Sequence, residues 1–245
     1  MRKYVIPDEI ESLSEALIRL FIKRTNGRNV RCIDIETFAT QFLGLKLVYE
    51  AFAEEDPGRI GFFADGVKPL LIARNGVKQD IVFEANTIVI EKRLLLPSES
   101  GRKRFTIAHE AAHMILQKHF PVNVQAAFHS DFDCMIPCTP EAMKEALNLN
   151  EIYSNRMAAC LLMPRVLVES ELKKHNGGKK IVVYEGFIIS KEEKLKMRTM
   201  SEEMGVSFLA LLNRLKELDL FEFRDAEEYA AEYLGIGGEN VPKAI

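Results

Sequence analysis

The chain has 245 residues, of which 47% are apolar and 28% charged, the balance of a soluble globular protein rather than a disordered or fibrous one. A formal net charge of −3 gives no broad basic field to draw nucleic acid or an anionic membrane, and no run approaches the roughly 18 apolar residues of a membrane span. At the start, MRKYVIPDEIESL, the residues Pro7, Asp8, Glu9 and Glu11 stand where a secretory signal needs an apolar core. A cytoplasmic protein is therefore expected, with Cys32, Cys134, Cys138 and Cys160 as thiols rather than bridges.

Residues 8–24 carry Ile10, Leu13, Ala16, Leu17, Leu20 and Phe21 at helical spacing, and Asn26-Gly27 reads as the stop. DIETFATQFLG, 34–44, reads as a second short helix capped by Asp34 and ended by Gly44. LKLVYEAF, RIGFFAD, KPLLIAR and DIVFEANTIVIEK are short segments rich in β-branched and aromatic residues, separated by Asp65-Gly66 and Asn75-Gly76 turns. Thr139-Pro140 reads as a helix start, and NEIYSNRMAACLLM as a helix ending at Pro164. From about 190 the pattern is charged and helical, closing on a loose tail, GIGGENVPKAI. Strands followed by a helix that packs on them predict an α+β fold.

The chemistry sits in RFTIAHEAAHMIL, Arg104–Leu116. On a helix, His109 and His113 project from one face, one turn apart, so both imidazoles reach one ion. Glu110 is offset around the helix and reaches a water beside that ion rather than the ion itself. This is the arrangement of a zinc hydrolase: the ion acidifies the water, and Glu110 moves its proton. A chance H-E-x-x-H in a chain of this composition is on the order of one per cent. The flanking Phe105, Ile107, Ala108, Ala111, Ala112, Ile115 and Leu116 predict a helix buried nearly all round, where unpaired imidazoles and a carboxylate would each cost about a few kcal/mol.

A catalytic zinc needs a third protein ligand and an open position. In NEIYSNRMAACLLMP, Glu151, Asn155, Ala158, Ala159 and Leu162 share one helical stripe, so Glu151 can reach the ion while Asn155 orients a ligand from behind. Residue pattern alone leaves Glu141, Glu145, Asp131 and Asp133 open as alternatives.

Together, RKRFTIAHEAAHMIL and EIYSNRMAACLLMP resemble the ImmA/IrrE family of metallopeptidases. Members carry R-F-T-x-A-H-E-x-x-H and then E-x-x-A-N-x-F-A-A-x-L-L-M-P. The chain matches at Glu151, Asn155, Ala158, Ala159, Leu161, Leu162, Met163 and Pro164, and departs with Ser154 for alanine and Met157 for phenylalanine, swaps that spare the ligand positions. The resemblance implies a zincin-like core, Zn2+ held by His109, His113 and Glu151, and Glu110 as the catalytic base. It also implies site-specific cleavage of a helix-turn-helix repressor, which relieves repression. IDIETFATQFLGLKLVYE and GVSFLALLNRLKELDLF are similar to the family's flanking segments, though weak by themselves.

The interval between His113 and Glu151 is longer than the family pattern leads one to expect, and holds His129, Cys134 and Cys138. We expect a surface insertion there; the alternative is a loop whose thiolate caps the metal. EEKLKMRTMSEEMGVSFLALLNRLKELDLF has the outline of a helix-turn-helix. Its second helix offers nucleic acid only Asn213, Arg214 and Lys216, and residues 191–245 hold eight Lys/Arg against twelve Asp/Glu. That balance speaks against direct DNA contact and for packing or protein docking. Arg102 and Lys103 read as a solvated charge run, Arg104 either as that or as a substrate-orienting group. Tyr153, His119, His129 and His175 are candidates for stabilising the oxyanion.

The expectation is an α+β protein with a zinc metallopeptidase domain over 1–190, a small mixed or antiparallel sheet packed on the histidine helix, and a helical segment over 191–245. Its substrate is expected to be a helix-turn-helix repressor. The rival is a non-catalytic zinc-containing module that docks a transcription factor; an intact Glu110 argues against it, since a structural site has no use for a base.

Overall fold

The computed structural model describes residues 6–25, 30–53, 58–119 and 149–236. Asn26-Gly27, Thr139-Pro140, His129, Cys134 and Cys138 lie outside the described residues, as do the alternative ligands Asp131, Asp133, Glu141 and Glu145.

Helix α1 spans Pro7–Arg24, with Glu9 accepting a hydrogen bond from the Ile6 backbone N–H at 3.1 Å and acidic and basic residues at the ends that suit the helix dipole. Asp34 caps α2 (Ile35–Thr37) by accepting from the Thr37 backbone N–H at 3.0 Å. Only Ile35–Thr37 is α-helical, however; the chain widens into a π turn over Phe38–Phe42, where the rings of Phe38 and Phe42 stack.

The strands are β1 (Lys46–Glu50), β2 (Gly61–Ala64), β3 (Pro69–Arg74), β4 (Val77–Val82) and β5 (Thr87–Glu91). β1, β5 and β2 form a mixed sheet in that order, β1 parallel and β2 antiparallel to β5. β3 and β4 form a hairpin across Asn75 and Gly76, both at positive φ as a type I′ turn requires. The segment DIVFEANTIVIEK is not one strand: β4 ends at Val82, and Asn86, at φ 63°, turns the chain into β5.

Alternation along β5 divides the interior. Ile88 and Ile90 join the core around Ile107, Ala108, Ala111 and Ala112, while Val89 joins a smaller cluster with Phe62, Ala64, Leu70 and Ile72 under the hairpin. Helix α3 (Ser100–His119) is therefore covered by sheet on one side. Its other side packs on α4 (Leu149–Leu162), which also meets α1, with the Ser14 hydroxyl 2.8 Å from Met157 Sδ. Every residue from Thr106 to Ala112 is buried, as the apolar flanks of the histidines predict.

After Pro164 come α5 (Arg165–Asn176), β6 (Ile181–Tyr184), α6 (Lys191–Met204), α7 (Phe208–Glu217), β7 (Phe221–Arg224) and α8 (Ala226–Tyr229). The helix-turn-helix outline is present: Gly205 turns at φ 65° and the Ser207 side chain caps α7. Unlike the wholly helical reading, the last third contributes a strand, β7, which pairs in parallel with β6. Met197, Met200, Met204, Leu211 and Leu215 lie in the same core as α3 and α4. Arg214 is not a surface contact. It is 1% exposed, donates to Met163 O at 2.9 Å and to Glu11 at 2.5 Å, and is paired with Glu217. Among the described residues, no helix is long and apolar enough to cross a membrane.

Candidate metal centre

Packing of α3 against α4 brings His109, His113 and Glu151 together. His109 Nε2 lies 3.0 Å from His113 Nε2 and 3.2 Å from Glu151 Oε2; His113 Nε2 lies 3.6 Å from Glu151 Oε1. All three residues offer ligand atoms within 4.8 Å of one another, so the group fits a metal ion. The outer nitrogens are held as well. His109 Nδ1 is 2.9 Å from Asn155 Oδ1, which can only accept, so this nitrogen carries the proton and Nε2 presents its lone pair. Asn155 is thus in contact with one of the two histidines. His113 Nδ1 is 3.0 Å from Ser154 Oγ, a contact the sequence reading missed, having taken Ser154 as a small swap for alanine.

Glu110 is 1% exposed and lies against β2. A Cβ added to Gly61 would run into Glu110 Oε1 and come within 2.6 Å of Thr106 Cγ2, so only glycine lets the strand approach the carboxylate this closely. A glycine inside the apolar run RIGFFAD was the available signal.

Other singled-out residues are engaged elsewhere. Arg104 donates to Gly205 O at 3.0 Å and to Ile33 O at 2.7 Å, tying α3 to the α6–α7 turn. Lys103 pairs with Glu36 at 2.7 Å. Burial pushes the Cys160 thiol up to about 12, which removes it from thiolate chemistry. Of the oxyanion candidates, His175 belongs to a second cluster. His175 Nε2 lies 3.0 Å from Glu203 and 3.3 Å from Glu171. The Lys174 ammonium sits 2.5 and 2.6 Å from the two Glu203 oxygens, so this group already holds a cation of the chain's own.

The family model that matches is Peptidase_M78, IrrE N-terminal-like domain, over residues 72–216. No curated protein matches the chain. The matched span takes in the histidine helix, the Glu151 helix and the helix-turn-helix after them, more than half of the sequence. With that span matched, the chain belongs to the IrrE N-terminal-like peptidase family and is a metallopeptidase.

Proposed function

We propose that the chain is a zinc endopeptidase in which His109, His113 and Glu151 hold the ion and Glu110 handles the proton. We propose further that its substrate is a cytoplasmic helix-turn-helix repressor, whose cleavage relieves repression. The observation that carries the site is the convergence of two imidazole nitrogens and one carboxylate. In a tetrahedral shell with bonds of about 2.0–2.1 Å, ligand atoms stand roughly 3.3 Å apart; here the two Nε2 atoms stand 3.0 Å apart, and the two Glu151 oxygens lie one 3.2 Å from His109 Nε2 and the other 3.6 Å from His113 Nε2. Imidazole nitrogens and carboxylate oxygens set this close need a proton or a metal ion among them.

When bound, zinc would polarise the scissile carbonyl and acidify a water. Glu110 takes the proton from the attacking water and returns it to the leaving nitrogen, so that the amine departs neutral. Its burial keeps bulk water from competing for that proton. Among the described residues, β2 is an edge of the three-stranded sheet, and Gly61 on it touches the Glu110 side. An extended segment of substrate laid along β2 would gain backbone hydrogen bonds and bring a peptide carbonyl beside Glu110. Support for a polypeptide substrate over a small amide comes from the peptidase family. Support for a repressor comes from the family likeness, and support for docking over DNA reading comes from the acidic balance of residues 191–245.

The test is incubation of the zinc-loaded chain with the helix-turn-helix repressor encoded nearest to it, with and without chelator. A chelator-sensitive fragment is expected. Glu110→Gln should retain zinc and lose about 10²–10⁴-fold of the cleavage rate. Cleavage that survives either treatment would remove Glu110 and the ion from the mechanism.

A further inference from the structure

We propose that Ser154 is a positioning residue for His113: its hydroxyl accepts the Nδ1–H and so turns the Nε2 lone pair to the metal position. This rests on the reading of His109, His113 and Glu151 as zinc ligands. Glu151, Ser154 and Asn155 occupy consecutive turns of one face of α4, at i, i+3 and i+4. One helix face thus delivers a ligand and, one turn on, grips the far nitrogen of each imidazole, Asn155 on His109 at 2.9 Å and Ser154 on His113 at 3.0 Å.

Two further observations point the same way. Ser154 is fully buried, and its hydroxyl lies at bonding distance from His113 Nδ1, so the two are held against each other. His113 is also the looser ligand. Its side chain is 20% exposed against 9% for His109, so packing fixes its ring less and the hydrogen bond fixes it more. The related pattern carries alanine at this position, so Ser154→Ala fits the space and removes only the hydroxyl.

The experiment compares Ser154→Ala with the unaltered chain in three ways. Zinc affinity is measured by competition with a chelator, histidine ring signals of the zinc-loaded proteins by NMR, and thermal unfolding on the metal-free proteins. Zinc affinity should fall about tenfold, the scale seen when an outer hydrogen-bond partner of a metal-binding histidine is removed. The His113 Nδ1 proton should shift and exchange faster while that of His109 stays, and the metal-free unfolding temperature should fall only by the small amount that loss of one hydrogen bond brings. Equal zinc affinity with an unmoved His113 signal overturns this inference alone. Failure of the unaltered chain to take up zinc overturns the ligand reading beneath it. Cleavage activity enters neither outcome.

Discussion

His109 and His113 stand one turn apart on α3 and meet Glu151 from α4; Glu171 and His175 stand one turn apart on α5 and meet Glu203 from α6. The two clusters share a plan and differ in what surrounds the imidazoles. In the first, neutral side chains hold both outer nitrogens, so the inner ones face each other 3.0 Å apart beside a carboxylate. In the second, one imidazole nitrogen lies between two carboxylates, and Lys174 brings a fixed ammonium onto Glu203. The same ligand-type residues at the same helical spacing thus sit in two different surroundings. What separates the two is whether the histidines are oriented from behind and whether the chain supplies its own cation.

The sharpest way to break that contrast is to remove one carboxylate or one imidazole from each cluster. Glu151→Ala should lower zinc affinity by about a thousandfold or more, given that a full ligand set binds zinc with about 10–16 kcal/mol. His175→Ala should leave zinc uptake at one ion per chain. A drop in zinc content for the His175 variant, measured on the purified protein, would make the two clusters alike and remove the distinction.

This contrast also marks how far the site was legible in the sequence. The histidine pair was legible because an i, i+4 spacing fixes which side chains share a helix face. Choosing Glu151 over four other carboxylates took the family resemblance, since no local pattern says which later helix returns to the first. Ser154 escaped because the rotation of α4 about its axis, which decides what meets His113, comes from packing against α3 and α1 together. Glu171 and His175 show the same i, i+4 spacing, but Glu203 arrives from another helix that nothing in their neighbourhood announces. The α+β class, the hairpin turn at Asn75-Gly76 and the burial of α3 were all readable from apolar period and turn chemistry. β7 was not, because FEFR is too short to outweigh the helical pattern around it. Arg214 was misjudged as surface although Leu211 and Leu215 flank it on the apolar stripe of α7.

Arg214 extends the comparison to a third charged group, in which the chain's own cation is buried completely. Its guanidinium is 0% exposed and its partner Glu11 only 15%. Burial raises the Glu11 pKa, but the Arg214 hydrogen bond and charge, with help from Cys160 and Arg165, outweigh it and hold the carboxyl below its ordinary range. Arg214→Met should destabilise the fold by about 3 kcal/mol in denaturant unfolding, since it strands a carboxylate largely out of water. Adding Glu11→Gln to it should recover part of the loss. A single variant as stable as the parent would mean that this pair is not what joins α7 to α1.

The smallest effect expected lies in the second cluster and is one of pH. Lys174, then His175 and Glu171, hold the Glu203 pKa down to about 2 from an ordinary 4.5, and Arg31 faces it at 3.7 Å. Folding therefore favours the ionised form of Glu203. Its contribution is complete above 4.5 and is lost as the pH falls toward about 2. Glu171 acts in the opposite sense: burial, then its hydrogen bond to Glu203, raises its pKa, so its contribution is complete below 4.5 and fades as the pH rises past the raised value. Lys174→Met should thus lower the unfolding temperature at neutral pH, and the gap to the parent should close as acid protonates Glu203. A gap that is constant across the acid range would mean that Lys174 stabilises through its aliphatic stem rather than its charge, and the second cluster would then lack the internal cation that sets it apart from the first.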